Sequence, residues 1–137
     1  MRNMFKYFVP PFIWALVIFL FSSFPTGSAT EIVWTDFAIK KTAHIVEYGI
    51  LTLLLYRAFT KGSGVDKKRA AIYSIFFAIF YGVSDEFHQS FTPGRMPKIR
   101  DVGFDTIGSV FSIYFIWSIL PKMPKKLRRL AEDWEIA

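Results

Sequence analysis

The sequence predicts an all-α polytopic integral membrane protein: a bundle of four transmembrane helices with a short C-terminal amphipathic interfacial helix. Three observations lead there. Of the 137 residues, 53% are hydrophobic and 19% aromatic, with 16 Phe, which is too apolar for an ordinary soluble domain of this size. The 17 Lys and Arg and the 11 Asp and Glu fall in short clusters beside apolar runs, so the net charge of +6 points to lipid headgroups and not to nucleic acid. Four of those runs approach the roughly 20 residues that a helix needs to cross the hydrocarbon core. The chain has no Cys, which excludes a disulfide framework, thiolate nucleophiles and thiolate metal sites and leaves oxygen and imidazole chemistry.

The whole chain, 1–137, reads as one membrane domain. Its first span, residues 8–24, is free of charge and has Pro10 and Pro11 near its start, where a missing backbone donor costs least. Arg2 and Lys6 before it and the small residues Gly27, Ser28 and Ala29 after it resemble a signal peptide, but the apolar stretch is longer than such a segment needs. The second, 37–59, carries Lys40, Lys41, His44 and Glu47 in its first half. The third, 70–91, follows Lys67, Lys68 and Arg69 and has Asp85, Glu86 and His88 near its end. The fourth, 102–120, holds Asp105 in its first turns and is stopped by Pro121 and Pro124. In the tail, 121–137, Leu127, Leu130, Ala131 and Trp134 recur at helical spacing among Lys125, Lys126, Arg128 and Arg129. This predicts a helix too short and too charged to span, held on the cytoplasmic leaflet, with Glu132, Asp133 and Glu135 repelled by the same surface.

Basic residues set the orientation. Twelve Lys and Arg flank one side, in the N-terminus, the loop between spans two and three, and the tail; five (Lys40, Lys41, Arg95, Lys98, Arg100) flank the other. A multi-pass protein of the cell membrane with both termini cytoplasmic is expected. Every ionisable group inside a span then lies near the outer face, where such groups persist only when they face the bundle interior and find a partner.

Spacing sharpens this convergence. Lys41, His44, Glu47 and Tyr48 share one face of span two; Asp85, His88 and Gln89 share one face of span three; Asp101 and Asp105 share one face of span four. The expected arrangement is a cup of carboxylates beneath a layer of two imidazoles. The turn-rich loop Thr92-Pro93-Gly94-Arg95-Met96-Pro97 would carry Arg95, Lys98 and Arg100 over it as a cationic lid, with Asp85 or Glu86 pairing to Arg95 or Arg100. Gly103 and Gly108 would let neighbouring backbones approach span four. The aromatic run from Phe76 to Tyr81 reads as lipid-facing or packing surface.

These blocks resemble the VanZ-like family: Lys41-Thr42-Ala43-His44-Ile45-Val46-Glu47-Tyr48-Gly49 with Arg57-Ala58, then Ser84-Asp85-Glu86-Phe87-His88-Gln89-Ser90-Phe91-Thr92-Pro93-Gly94-Arg95, then Asp101-Val102 and Asp105-Thr106-Ile107-Gly108. The resemblance covers about residues 35 to 110, and one difference is Asp105, where Asn is expected. It implies a small bacterial membrane protein in the setting of antibiotic or envelope stress, the founding member being associated with resistance to the glycopeptide teicoplanin. It implies no settled biochemical activity.

Two function classes stay open. In one, His44, Glu47, Asp85, Glu86, His88, Asp101 and Asp105 supply acid–base chemistry, while Lys41, Tyr48, Gln89, Arg95 and Arg100 bind an anionic lipid-linked group, such as a cell-wall precursor, at the outer leaflet. In the other, the protein is a non-catalytic membrane binding or interaction module whose polar cluster is structural. No cofactor is firmly implied. Two His with two or three carboxylates would suit a divalent metal, but their spacing is no dedicated ligand signature. No nucleic-acid module is present, and the sequence is silent on oligomeric state.

Overall fold

The computed structural model describes residues 4–25, 32–95 and 97–136; the small residues Gly27, Ser28 and Ala29 lie outside them. Five α-helices follow in order: α1 (Met4–Ser22), α2 (Val33–Arg57), α3 (Lys67–Gln89), α4 (Ile99–Tyr114) and α5 (Lys125–Asp133). A wider π turn, Ala58–Gly62, prolongs α2. Another, Phe115–Ile119, and a tight 3-10 turn, Leu120–Lys122, prolong α4. Three of these helical segments, Met4–Ser22, Lys67–Gln89 and Ile99–Lys122, are long and apolar enough to cross a membrane. With 25 residues, α2 is the longest helix, about 37 Å end to end, and its N-terminal half is charged.

The first four helices each begin about a turn earlier than the apolar runs suggest. Hydropathy marks where side chains leave water, whereas backbone hydrogen bonding continues through polar turns such as the one holding Lys67, Lys68 and Arg69. Asp66 caps α3 by accepting the Arg69 amide at 3.1 Å. The α2–α3 link closes at Gly64 and the α3–α4 link at Gly94, both with positive φ that glycine adopts without strain.

Central to the bundle is α2. Its Tyr48, Leu51, Thr52 and Tyr56 recur at helical spacing and are buried. Tyr48 and Leu51 form one core with Ile18 of α1 and Ala78 of α3. Tyr56 forms a second with Ala70, Ala71, Ile113, Ile116 and Leu120. The outward side chains of α3, Phe76, Phe77 and Phe80, are exposed while Ala78 between them is buried, which fits the expected lipid-facing surface. Of the three helices long enough to span, α1 is the least embedded, with 11% of its span buried against 39% for α3 and for extended α4.

Closest approach occurs where α2 crosses α4. A Cβ placed on Gly108 would strike the backbone carbonyl of Ile45, and one on Gly49 would stand 3.4 Å from the Gly108 oxygen. Backbone contact of this kind is what small residues provide in lipid, where apolar burial no longer drives helices together. Gly103 departs from expectation: it is exposed and faces open space, one turn and a half from the crossing and on the wrong side of α4. Gly108→Ala is expected to lower unfolding stability in detergent by about 1–3 kcal/mol, as overpacking does, whereas Gly103→Ala is neutral or slightly stabilising; thermal unfolding of the two purified variants distinguishes them.

The tail is helical over Lys125–Asp133 but does not stand apart. Leu127, Leu130 and Trp134 are exposed on α5, while Ala131 and Ile136 pack against the Tyr56 core. Beyond α5, Glu135 turns into the left-handed region (φ 56°) and brings its carboxylate to Lys6 Nζ (3.0 Å), Arg57 Nη2 (3.0 Å) and Tyr7 Oη (3.2 Å), all three donating. Expected only to be repelled by the anionic leaflet, Glu135 is the counter-charge of Lys6 and Arg57, which meet there from different helices. The Lys6 hydrogen bond holds the Glu135 carboxyl below its ordinary value. Docking is therefore complete above the ordinary carboxylate range, near pH 4.3, and is lost as pH falls through the lowered value. A fluorophore on Trp134→Cys, in a chain without other cysteines, is expected to report release below about pH 4, and a Glu135→Gln background should remove the transition.

Candidate functional site

The end of the bundle where α1 and α3 finish and α2 and α4 begin collects the polar side chains singled out in the sequence, in two groups. Between α2 and α4, Lys41 Nζ meets Asp101 Oδ2 at 2.6 Å and His44 Nδ1 meets Asp105 Oδ1 at 2.9 Å. The shared spacing of Lys41 and His44 on α2 and of Asp101 and Asp105 on α4 makes these two parallel rungs one turn apart. Asp105 is 1% exposed. It fits there because Gly82 of α3 has no side chain: a Cβ at Gly82 would stand 3.0 Å from Asp105 Oδ2 and 3.3 Å from the Tyr48 ring.

Around α1 and α3 runs the second group. Asp85 Oδ2 accepts from Ser22 Oγ and from Gln89 Nε2, each at 2.8 Å. Arg95 donates from Nη2 to the Phe21 carbonyl (2.7 Å) and from Nε to the Phe24 carbonyl (3.1 Å), closing the open end of α1. Its Nη1 donates to Gln89 Oε1 at 3.4 Å. Glu86 Oε2 accepts from the backbone amide of Lys98, the residue that caps α4, at 2.7 Å.

A cleft of about 430 Å³ opens between the two groups. One wall is α2, with Lys40, Lys41, Ala43, His44 and Glu47; the other is Phe21 and Ser22 of α1, Gln89 of α3, and Gly94, Arg95, Lys98 and Asp101. Lys40 is held by Asp36 at 2.9 Å. Among the described residues, neither the Glu47 carboxylate nor the Lys98 ammonium has a hydrogen bond or ion pair, and both line the cleft. An ionised Asp105 accepts from His44, which puts the ring hydrogen on Nδ1 and leaves Nε2 uncommitted.

Of the residues singled out in the sequence, Lys41, His44, Glu47, Gln89, Arg95 and Asp101 line this cleft. Asp105 lies behind His44, and the expected single cup is divided. His44 pairs across helices with Asp105 and not along its own helix with Glu47. His88 leaves the face of Asp85: its ring stacks on Phe19 with centroids 4.3 Å apart and its Nε2 is 3.0 Å from Ser23 Oγ, so the two imidazoles do not form a layer. Asp85 and Glu86 are both buried and outside the cleft lining, and neither pairs with Arg95 or Arg100, because Arg95 is drawn to free carbonyls of α1. Arg100 stacks on Phe37 at 5.3 Å, away from the cleft. Tyr48 is fully buried beneath it, and its hydroxyl has no hydrogen-bond partner among the described residues. Ser22 and Gly82 were missed by reading charge alone. A Ser pair closing an otherwise apolar span, and a lone Gly on span three, were the available signals.

Among the described residues, no group of three or more His, Asp or Glu is arranged to hold a metal ion. The arrangement can hold an anion against Lys98 and the other cations of the rim, and can give or take a proton at His44 Nε2, with Asp105 fixing the ring.

A family model described as VanZ/LLP1 matches residues 5–120, well over half of the chain. No curated protein and no solved structure matches it.

His44→Ala strands Asp105 without its partner. Removing one member of a buried pair costs about 3–5 kcal/mol. The double variant His44→Ala/Asp105→Asn, which also removes the charge, is expected to unfold later than His44→Ala alone; equal or lower stability of the double variant would show that the pair is not coupled.

Proposed function

The chain belongs to the VanZ-like family, and from that premise we propose that it is a multi-pass protein of the bacterial cell membrane whose cleft binds, or acts on, an anionic lipid-linked group at the outer face. In this reading α2 crosses the membrane together with α1, α3 and α4, both termini are cytoplasmic in keeping with the Lys and Arg distribution, and α5 rests on the cytoplasmic leaflet. The observation that carries the proposal is the His44–Asp105 pair: a buried carboxylate orients an imidazole whose second nitrogen is left for a cleft rimmed by Lys40, Arg95 and Lys98.

The roles differ. Lys98 draws a phosphate or carboxylate into the cleft. Arg95, its donors committed to α1 and Gln89, positions the loop and adds positive charge without being the clamp. His44 exchanges a proton at Nε2, and Glu47 is the second acid–base group, one turn deeper on α2. The family setting makes protection against teicoplanin, or envelope homeostasis, the expected cellular outcome. A second reading draws on the completed pairs Lys41–Asp101 and Lys40–Asp36: the network is structural and the protein a non-catalytic membrane module.

The experiment expresses the chain in a teicoplanin-susceptible bacterium and scores tolerance against the amount of protein in the membrane. Glu47→Gln and Lys98→Gln break none of the described pairs, so tolerance should return to baseline at unchanged protein level. Tolerance retained in both variants, or lost only together with the protein, supports the structural reading. Topology is tested separately: single cysteines at Ser63 and Ser28, which flank α2, should label from opposite sides of the membrane, and same-side labelling overturns the four-span arrangement.

A further inference from the structure

At the opposite end of the bundle, three donors from two helices converge on one carboxylate. Lys6 Nζ and Arg57 Nη2 both reach Glu135 Oε2 at 3.0 Å, and Tyr7 Oη reaches Oε1 at 3.2 Å. Two cations on one oxygen and a hydroxyl on the other is a donor set for a tetrahedral anion as much as for a carboxylate. Arg57 is 13% exposed, lies 4.9 Å over the Tyr7 ring, and its buried Nε has no hydrogen-bond partner among the described residues. One donor of a nearly buried guanidinium is therefore unused by Glu135. The carboxylate itself is delivered by a strained residue at the end of a nine-residue helix, the least anchored segment of the fold.

A second feature begins one turn away. Between α1 and α3, floored by α2, runs a groove of about 450 Å³ with almost no polar surface, lined by Phe8, Val9, Phe12, Leu55, Phe77 and Tyr81 among others. Its rim is adjacent in sequence to the cations: Phe8 is two residues from Lys6, and Leu55 two residues from Arg57. Phe8 packs edge-on against Phe59, which also stacks on Phe77, so aromatic surface is continuous from the charged cluster into the groove.

We propose that Lys6, Tyr7 and Arg57 form a binding site for the phosphate of an anionic phospholipid in the leaflet at this end, with one of its acyl chains in the α1–α3 groove, and that Glu135 occupies the phosphate position as a built-in competitor. The site is independent of the cleft at the other end. Charge selects the occupant: a zwitterionic lipid offers the same chain but brings its own cation to a cluster of two. The basic residues Lys125, Lys126 and Arg129 along exposed α5 favour the same lipid, so an anionic surface both draws α5 down and supplies the ligand that replaces Glu135.

The test uses the full chain in non-ionic detergent, with phosphatidylglycerol and phosphatidylcholine added in equal amounts and bound lipid counted by native mass spectrometry. The wild-type chain should retain phosphatidylglycerol preferentially. Glu135→Gln should raise that retention about fivefold, and adding Lys6→Gln should reverse the gain, each being the effect of one charge near an anionic headgroup. Val9→Trp, which fills the groove from an exposed position, should reduce retention while the fluorophore at position 134 still reports a docked tail. Lys6 is largely exposed, so Lys6→Gln and Glu135→Gln are expected to fold, as circular dichroism and elution volume verify. An unchanged lipid ratio in folded Glu135→Gln overturns the proposal. So does release of the tail by inorganic phosphate at the concentration at which the lipid acts, which would make the ligand a free anion.

Discussion

A carboxylate buried in a bundle of apolar helices must have a partner, and Asp105 sets much of the geometry by that need. His44 answers it, and to do so α2 and α4 must cross closely enough for Gly108 to lie against the Ile45 backbone and in a register that also brings Lys41 to Asp101. Gly82 is the complementary absence on α3. Removing any of these would separate the helices that hold the others. The cleft follows from the same constraint, since His44 turned inward to Asp105 leaves the next polar residues of α2, Lys40 and Glu47, on the open side.

The two ends solve opposite electrostatic problems. Where α2 and α4 begin, acidic groups are in excess inside the bundle, and two of them, Asp101 and Asp105, are matched by Lys41 and His44 of α2. Where α1 begins and α2 ends, cations from neighbouring helices are matched by one carboxylate from the far end of the chain. In both cases the partner is remote in sequence: His44 and Asp105 are 61 residues apart, Lys6 and Glu135 129. Charge pairing here is a tertiary device, largely withdrawn from water in His44–Asp105 and exposed in Lys6–Glu135.

This also explains what could be read from the sequence. The all-helical character and the three helices long and apolar enough to cross a membrane were legible because apolar runs of that length have few other outcomes, and the face shared by Lys41, His44 and Glu47 follows from helical spacing alone. Pairing was not. Spacing tells that His44 and Glu47 are neighbours, and likewise Asp85 and His88, but nothing local reveals that His44 will find a carboxylate on α4 or that His88 will turn to Phe19. The ring of His88 is amphipathic and takes the aromatic surface that α1 offers. Gly103 and Gly108 look alike in sequence; only the crossing point of α2 distinguishes them. The fate of Glu135 was equally hidden, since a local view of the tail sees like charges on one surface and no distant cations.

The way α1 is held has a consequence for the order of assembly. Besides Lys6 and Tyr7, which reach Glu135, its polar ties include Trp14 to the Glu47 carbonyl, the Ala15 carbonyl to Tyr81, Ser22 to Asp85, and the carbonyls of Phe21 and Phe24 to Arg95. Every partner lies later in the chain, the last of them more than 70 residues downstream of the helix it secures. Those partners are made after α1, whose stretch from Val9 to Phe24 contains no charge that an apolar surrounding would penalise before they arrive. Three of these ties use backbone carbonyls, those of Ala15, Phe21 and Phe24, and so place no demand on the side chains at those positions.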